Sequence, residues 1–233
     1  MTAPVAPRSA PRAVLFDFGG VLTTSVLNGF SDFSESVSGD RRLVLRLLSG
    51  DAEAKHLLVE HEEGRLDHDA FEAGFAQCLR AAGVDVETDG LIGRMQSHLR
   101  PDDEMIALLT AVRRLGFAVG LVSNSLGRDC YAGYDLDELF NAQAISGMEG
   151  VRKPSRRLYE IACERLGVRV DEAVMIDDLA QNITAAERLG MRGIVHTDAA
   201  TTAAALSVLL EVDARELLPD APQHAGDALE EAR

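Results

Sequence analysis

Cysteine, basic charge and long apolar runs are scarce in this sequence, and each shortage closes off a class of protein. Only three cysteines occur in 233 residues, Cys78, Cys130 and Cys163. They are odd in number and widely spaced, which suggests neither a disulfide framework nor a CxxC metal site. They read as buried thiols in a reducing cytoplasm. Lys and Arg number 23 against 38 Asp and Glu, a net charge of −15, which argues against a nucleic-acid backbone or an anionic membrane as partner. A small anionic substrate stays compatible, because a bound cation and a few local donors can invert the field inside a cleft. Nowhere do 18 apolar residues run together, and the opening MTAPVAPRSAPR holds no apolar stretch of signal-peptide length. The expectation is a soluble cytoplasmic protein, monomer or homodimer, with no membrane or nucleic-acid partner.

The chain is nevertheless rich in core-forming material. With 46% hydrophobic and 26% charged residues it has the balance of a globular protein. Its length suits one large domain or a domain with an insert. Residues 1–12, Ala/Pro-rich, and residues 219–233, acidic, read as disordered. Between them the triplet Arg-Leu-Gly recurs at Arg114-Leu115-Gly116, Arg165-Leu166-Gly167 and Arg188-Leu189-Gly190. Each ends a segment of helical periodicity, such as Met105, Leu108, Leu109, Val112 and Leu115. Arginine suits the negative end of a helix, and the following glycine can take the left-handed cap conformation.

After each glycine comes a short apolar run: FAVGLV (117–122), AVMI (173–176) and GIV (193–195). AVLF (13–16) and AQAI (142–145) supply two more. Helix, glycine and strand in repetition indicate an α/β fold, a doubly wound, Rossmann-like parallel sheet. Residues 24–101 break the rhythm with helical spacings only, as in Phe71, Phe75, Cys78, Leu79 and Ala82, or Leu43, Leu47 and Leu48. They read as an inserted α-helical cap, leaving 13–23 and 102–218 as the core. An insert after the first strand would lie over the carboxyl ends of the strands, where open α/β sheets bind ligands.

Three strands end on polar residues: AVLF on Asp17, FAVGLV on Ser123-Asn124, AVMI on Asp177-Asp178. Any one of these alone is a helix cap or turn former. Three at one sheet edge suggest a site, and Lys153, before Pro154 and a helical segment, can join them.

In order along the chain, Phe16-Asp17-Phe18-Gly19-Gly20-Val21-Leu22, Leu121-Val122-Ser123-Asn124, Lys153-Pro154 and Met175-Ile176-Asp177-Asp178 resemble the four motifs of the haloacid dehalogenase superfamily. Glu63-Gly64-Arg65-Leu66 followed by Phe71 resembles a recurrent sequence of its helical-cap subgroup. The resemblance implies a phosphatase of small phosphorylated metabolites, such as sugar phosphates, working through an aspartyl-phosphate on Asp17. It implies Mg2+ held by Asp17, the Gly19 carbonyl and Asp178, with Asp177 behind them or bound through water. Ser123 and Asn124 would bind phosphoryl oxygens, Lys153 would hold Asp17 and the phosphate, and Asn182 would support the acidic loop.

One departure stands out. Phosphatases of the family usually carry an aspartate two residues after the nucleophile to protonate the leaving group, and here that residue is Gly19. A lost general acid costs about 100- to 10,000-fold in rate, so turnover of alkyl phosphates is expected to be weak. Water, Asp177 or a cap residue (His61, Glu63 or His68) could stand in. Two alternatives follow: a non-catalytic protein that binds a phospho-ligand or a protein, and a 2-haloacid dehalogenase, which needs no such acid. The paired acids at 177 and 178 count against the dehalogenase, whose metal-free members replace them. His56, His61 and His68 otherwise read as helix-surface residues.

Overall fold

The computed structural model describes residues 9–218; the tail expected from 219 and the first eight residues lie outside them. Five strands form one parallel sheet: β1 (Ala13–Phe16), β2 (Ala118–Ser123), β3 (Ala142–Ile145), β4 (Ala173–Asp177) and β5 (Arg192–Val195). Their order is β3-β2-β1-β4-β5. The run expected at 117–122 is shifted by one residue and includes Ser123.

Helices cover both faces, so the strands read as unbroken apolar runs rather than alternating ones. Before the second strand come α1 (Val26–Ser38), α2 (Leu43–Gly50), α3 (Ala52–Glu62), α4 (His68–Ala81), α5 (Leu91–Met95) and α6 (Asp103–Arg114). After it come α7 (Leu136–Leu139), α8 (Ser146–Glu149), α9 (Arg156–Leu166), α10 (Ala180–Arg188), α11 (Ala199–Leu210) and α12 (Ala214–Leu217). Val14, Phe16, Val119, Leu121, Val174 and Ile176 pack against α6, α11 and α12. The intervening Leu15, Val122, Ala173 and Met175 pack against α9 and α10. The three Arg-Leu-Gly glycines all have positive φ, 92°, 66° and 102°, so the predicted helix stops form as the triplets require.

Residues 9–12 depart from the expectation of disorder. Arg12 N donates to Glu172 O at 2.7 Å and Ala118 N to Arg12 O at 3.0 Å, extending the sheet pattern by one residue. Arg169 and Asp171 hold Ser9. Residues 9–12 are thus fixed by backbone and side-chain partners that no local composition reveals.

Helices α1–α5 have their own core, built from Phe30, Phe33, Phe71, Phe75, Leu79 and Met95 among others. Two adjacent connections tie this unit to the sheet: Thr24 N donates to Arg100 O at 2.9 Å and Asp102 N to Leu22 O at 2.9 Å. A second joint lies across the molecule. Ser146 Oγ donates to Glu62 O and receives Ser125 N at 3.0 Å. The neighbouring Gly64 has φ +71°, and a Cβ there would fall 2.3 Å from Gly147 O. Only glycine lets the turn after α3 approach the backbone of α8 this closely. His61 belongs to the same joint rather than to a solvated surface: its Nε2 accepts from Gly127 N at 3.0 Å and its ring stacks on Phe71.

Gly83 provides the comparison, with φ +87° but nothing within 4 Å of a built Cβ. Gly83→Ala should cost about 1–3 kcal/mol from backbone strain alone. Gly64→Ala should cost clearly more, since strain and collision add; urea unfolding of both variants measures the difference.

Candidate active site

The register of β1 and β4 brings the acids together. Phe16 is paired with Ile176, and Asp17 N donates to Ile176 O at 2.9 Å, so Asp17 stands beside Asp177 at the carboxyl ends of the strands. Lys153 Nζ reaches between them, 2.6 Å from Asp17 Oδ1 and 2.7 Å from Asp177 Oδ2. The lysine is 1% exposed. Burial pulls its pKa down, but the two carboxylates outweigh burial and hold it above the ordinary lysine value.

Each partner is fixed from behind. Phe18 N donates to Asp17 Oδ1 at 2.7 Å. Asp177 accepts from Leu179 N at 2.9 Å and from Asn182 Nδ2 at 2.9 and 3.0 Å. Asn182, in the first turn of α10, thus supports the acidic loop directly. Asp178 lies over the glycine turn: a Cβ on Gly20, at φ +79°, would fall 2.4 Å from Asp178 Oδ2. This close approach accounts for the second glycine after Asp17.

Carboxylate oxygens of Asp17, Asp177 and Asp178 all lie within 4.8 Å of one another. Three carboxylates face one ammonium at a largely buried place, and full ionisation would leave two negative charges in excess. The pKa values record the strain. Burial drives Asp17 up to about 8; Lys153 opposes this, and Asp177 and Asp178 add to it. Burial, followed by Asp177, raises Asp178 to about 6. Oxygen donors with this excess charge suit a hard divalent cation, which would neutralise it.

Ser123 and Asn124 end β2 as expected but do different things. Ser123 Oγ accepts from Tyr131 OH at 2.9 Å beside the Asp17 cleft. The Asn124 amide, expected on phosphoryl oxygens, instead clasps the lysine's backbone: Lys153 N donates to its Oδ1 at 2.7 Å, and its Nδ2 donates to Lys153 O at 3.2 Å. A lysine that must cross the sheet edge to two acids needs its own main chain anchored, and the amide supplies both a donor and an acceptor.

Asp17, Ser123, Asn124, Lys153, Asp178 and Asn182 line one cleft of about 610 Å³ roofed by α1–α3. Gly19 lies on its wall without a side chain. A Cβ there would fall 2.6 Å from Val26 Cγ2, so a methyl group of α1 occupies the space a larger residue would need. None of the expected stand-in acids is free in the cleft. Asp177 is 0% exposed. His61 Nδ1 faces Leu66 O at 2.9 Å, His68 lies 3.4 Å from Glu72, and Glu63 pairs with Arg65.

Tyr131 and Glu62 are among the cleft residues with no counterpart in the sequence analysis. Tyr131 sits in the irregular loop after β2, packed edge-on against Phe18 with centroids 4.8 Å apart. Burial holds its hydroxyl well above the usual tyrosine pKa, so it stays a donor to Ser123. Glu62 is the neighbour of Glu63. It follows Leu58 by four residues, and both line the cleft from one face of α3. That helical spacing was the available signal. Its Oε2 lies 2.6 Å from Arg152 Nε, an ion-pair distance, although the two are not aligned as a hydrogen bond. Burial raises Glu62 to about 7, against the lowering influence of Arg152 and Lys153. The thiols are less buried than expected: Cys163 is buried, while Cys78 and Cys130 are half-buried.

The geometry defines a charge-dense pocket at the switch point of a doubly wound sheet, with an acid, an ammonium and a serine converging on one space. The chain belongs to the haloacid dehalogenase-like hydrolase family, whose sequence profile matches residues 11–190. It is 26% identical to the sesquiterpene phosphatase astK of Aspergillus oryzae over 207 residues, 85% of this chain and 96% of that protein. It is 35% identical to a phosphoserine phosphatase of Thermus thermophilus over 105 residues, 43% of this chain and 41% of that protein. Its fold is similar to a HAD-family enzyme of Bacteroides thetaiotaomicron solved with magnesium and inorganic phosphate, with a TM-score of 0.56, 20% identity and coverage of 81% and 95% of the two chains.

A buried acid with a raised pKa makes stability depend on pH. Glu62 binds its proton up to about pH 7 when folded but only to about 4.5 when unfolded. The stability this contributes is full below pH 4.5 and is lost as pH rises toward 7. Relative to Glu62→Gln, the wild type should therefore lose up to about 1.4 kcal/mol per pH unit across that window. Urea unfolding at several pH values reads this slope.

Proposed function

We propose that this chain is a Mg2+-dependent phosphatase of small phosphate monoesters, with Asp17 as nucleophile and the helical insert as its cap. The carrying observation is the gathering of three carboxylates, Asp17, Asp177 and Asp178, around the single ammonium of Lys153. A dianionic phosphate can approach a carboxylate only where such charge is neutralised. Asp17, the Gly19 carbonyl and Asp178 would hold the ion, which when bound neutralises charge and polarises a phosphoryl oxygen. The phosphatases among the relatives, and the magnesium and phosphate bound by the Bacteroides enzyme, support the same reading.

The protein groups have distinct tasks. An Asp17 oxygen attacks phosphorus in line as the ester P–O bond breaks, giving an aspartyl-phosphate and an alkoxide. Lys153 holds the Asp17 carboxylate in place and offsets the charge of the phosphoryl oxygens. Ser123, polarised by Tyr131, donates to one of those oxygens. Water then attacks phosphorus, the Asp17–phosphoryl bond breaks, and orthophosphate leaves. Gly19 offers no proton to the alkoxide, so that proton comes from water, and esters with good leaving groups are the better substrates. The crowded acids weigh against a metal-free dehalogenase, because three carboxylates facing one lysine are costly without a cation.

Release of p-nitrophenol from its phosphate ester tests the reading, since that leaving group needs no acid. Turnover should require Mg2+ and fall by more than about 100-fold in Asp17→Asn. Equal turnover in EDTA, or in Asp17→Asn, would contradict it.

Gly19→Asp should not restore an acid, because Val26 Cγ2 fills the place of its Cβ and the β-branched side chain cannot swing aside. Gly19→Asp combined with Val26→Ala should raise alkyl phosphate turnover relative to the p-nitrophenyl ester. An equal gain from Gly19→Asp alone would show that Val26 is no obstacle.

A further inference from the structure

We propose that the cleft is built for a phosphate monoester whose body is a hydrocarbon, not a sugar or other polyol. The inference rests on the phosphatase reading of the same site and names its substrate class. Helices α1–α3 contribute eight side chains to the cleft, and six are apolar: Val26, Leu27, Phe30, Leu45, Leu48 and Leu58. The two polar ones are Ser49 and Glu62, and Glu62 lies at ion-pair distance, 2.6 Å, from Arg152, which also lines the cleft. From the sheet side Leu126 and Leu179 add to the apolar wall. One N–H of the Gln96 amide is taken by Leu126 O at 3.0 Å.

A polyol entering this space would strip its hydroxyls of water and find few partners. Each hydroxyl left unpaired would weaken binding roughly 5- to 150-fold. A hydrocarbon body meets the opposite situation. Leu27 is 40% exposed and Leu45, Leu48 and Leu58 are only half-buried, so apolar surface facing the cleft is left for a ligand to cover. Burying it contributes about three- to fourfold in affinity per methylene.

The wall also begins at the reacting end. Val26 Cγ2 stands where a Gly19 side chain would start, so apolar surface runs from the Asp17 loop up to Leu27 and Leu48. With a volume of about 610 Å³ the cleft is in the range that encloses most of a drug-sized ligand. The sugar phosphate expected from the family resemblance fits this lining poorly, and a phosphorylated long-chain or branched hydrocarbon alcohol fits it well.

Calorimetric titration with butyl-, hexyl- and octylphosphonate in the presence of Mg2+ tests the class without relying on turnover. The dissociation constant should fall by roughly 100-fold from butyl to octyl, and octylphosphonate should bind more tightly than glucose 6-phosphate. Leu48→Gln should reduce the octyl-to-butyl ratio. A flat series, tighter glucose 6-phosphate binding, or no binding at all would overturn the proposal. A p-nitrophenyl phosphatase assay on the same preparation separates the two readings. Turnover with a flat series overturns the hydrocarbon class alone. The expected series without turnover leaves the class standing and contradicts the phosphatase.

Discussion

Everything at the carboxyl edge of the sheet depends on one buried ammonium shared by two acids from adjacent strands. Lys153 Nζ sits 2.6 Å from Asp17 and 2.7 Å from Asp177, and removing one partner of such a buried pair typically costs 3–5 kcal/mol, or about that order. The surrounding structure is arranged to keep it. Asn124 clasps the lysine's main chain, Asn182 and Leu179 N fill the remaining valences of Asp177, and Phe18 N orients Asp17. The parallel register that sets Asp17 beside Asp177 is itself fixed by the apolar faces of β1 and β4. Sheet packing, polar support and charge therefore form one chain of dependence, ending at a carboxylate that lacks enough positive charge in the protein itself.

The roof has the contrary character. Its leucines and Val26 line the cleft that holds the same acids, and its joints to the sheet include the backbone approach at Gly64 and the His61 bond to Gly127 N. The cleft therefore joins a charged floor to an apolar roof, and on the proposed reading the two would divide recognition. On that reading the floor would hold the phosphoryl group and the roof would meet what carries it. The glycine at position 19 belongs to this division: Val26 occupies the volume that an acidic side chain would enter.

Most of the scaffold was legible because parallel strands covered on both faces must be continuous apolar runs, and AVLF and AVMI could hardly be otherwise. The Arg-Leu-Gly triplets marked helix ends for a reason of local backbone chemistry, and all three glycines take positive φ. The acids and the lysine could be gathered because strand ends share one edge. What local pattern could not show were choices of partner. The Asn124 amide prefers a peptide group to open space, Ser9 and Arg12 find Asp171 and Glu172 from a segment whose composition reads as disorder, and Tyr131 comes from a loop with no periodicity. Glu62, beside Glu63 in sequence, shares the cleft-facing side of its helix with Leu58, which shows only once that face is known.

A divalent cation is what would balance the acid cluster of Asp17, Asp177 and Asp178. Calorimetric titration of Mg2+ into the protein, beside Asp178→Asn, measures this most directly. One ion bound per wild-type chain, with affinity lost or greatly weakened in Asp178→Asn, is the predicted result. Absence of binding to the wild type, or equal binding to Asp178→Asn, would contradict the claim.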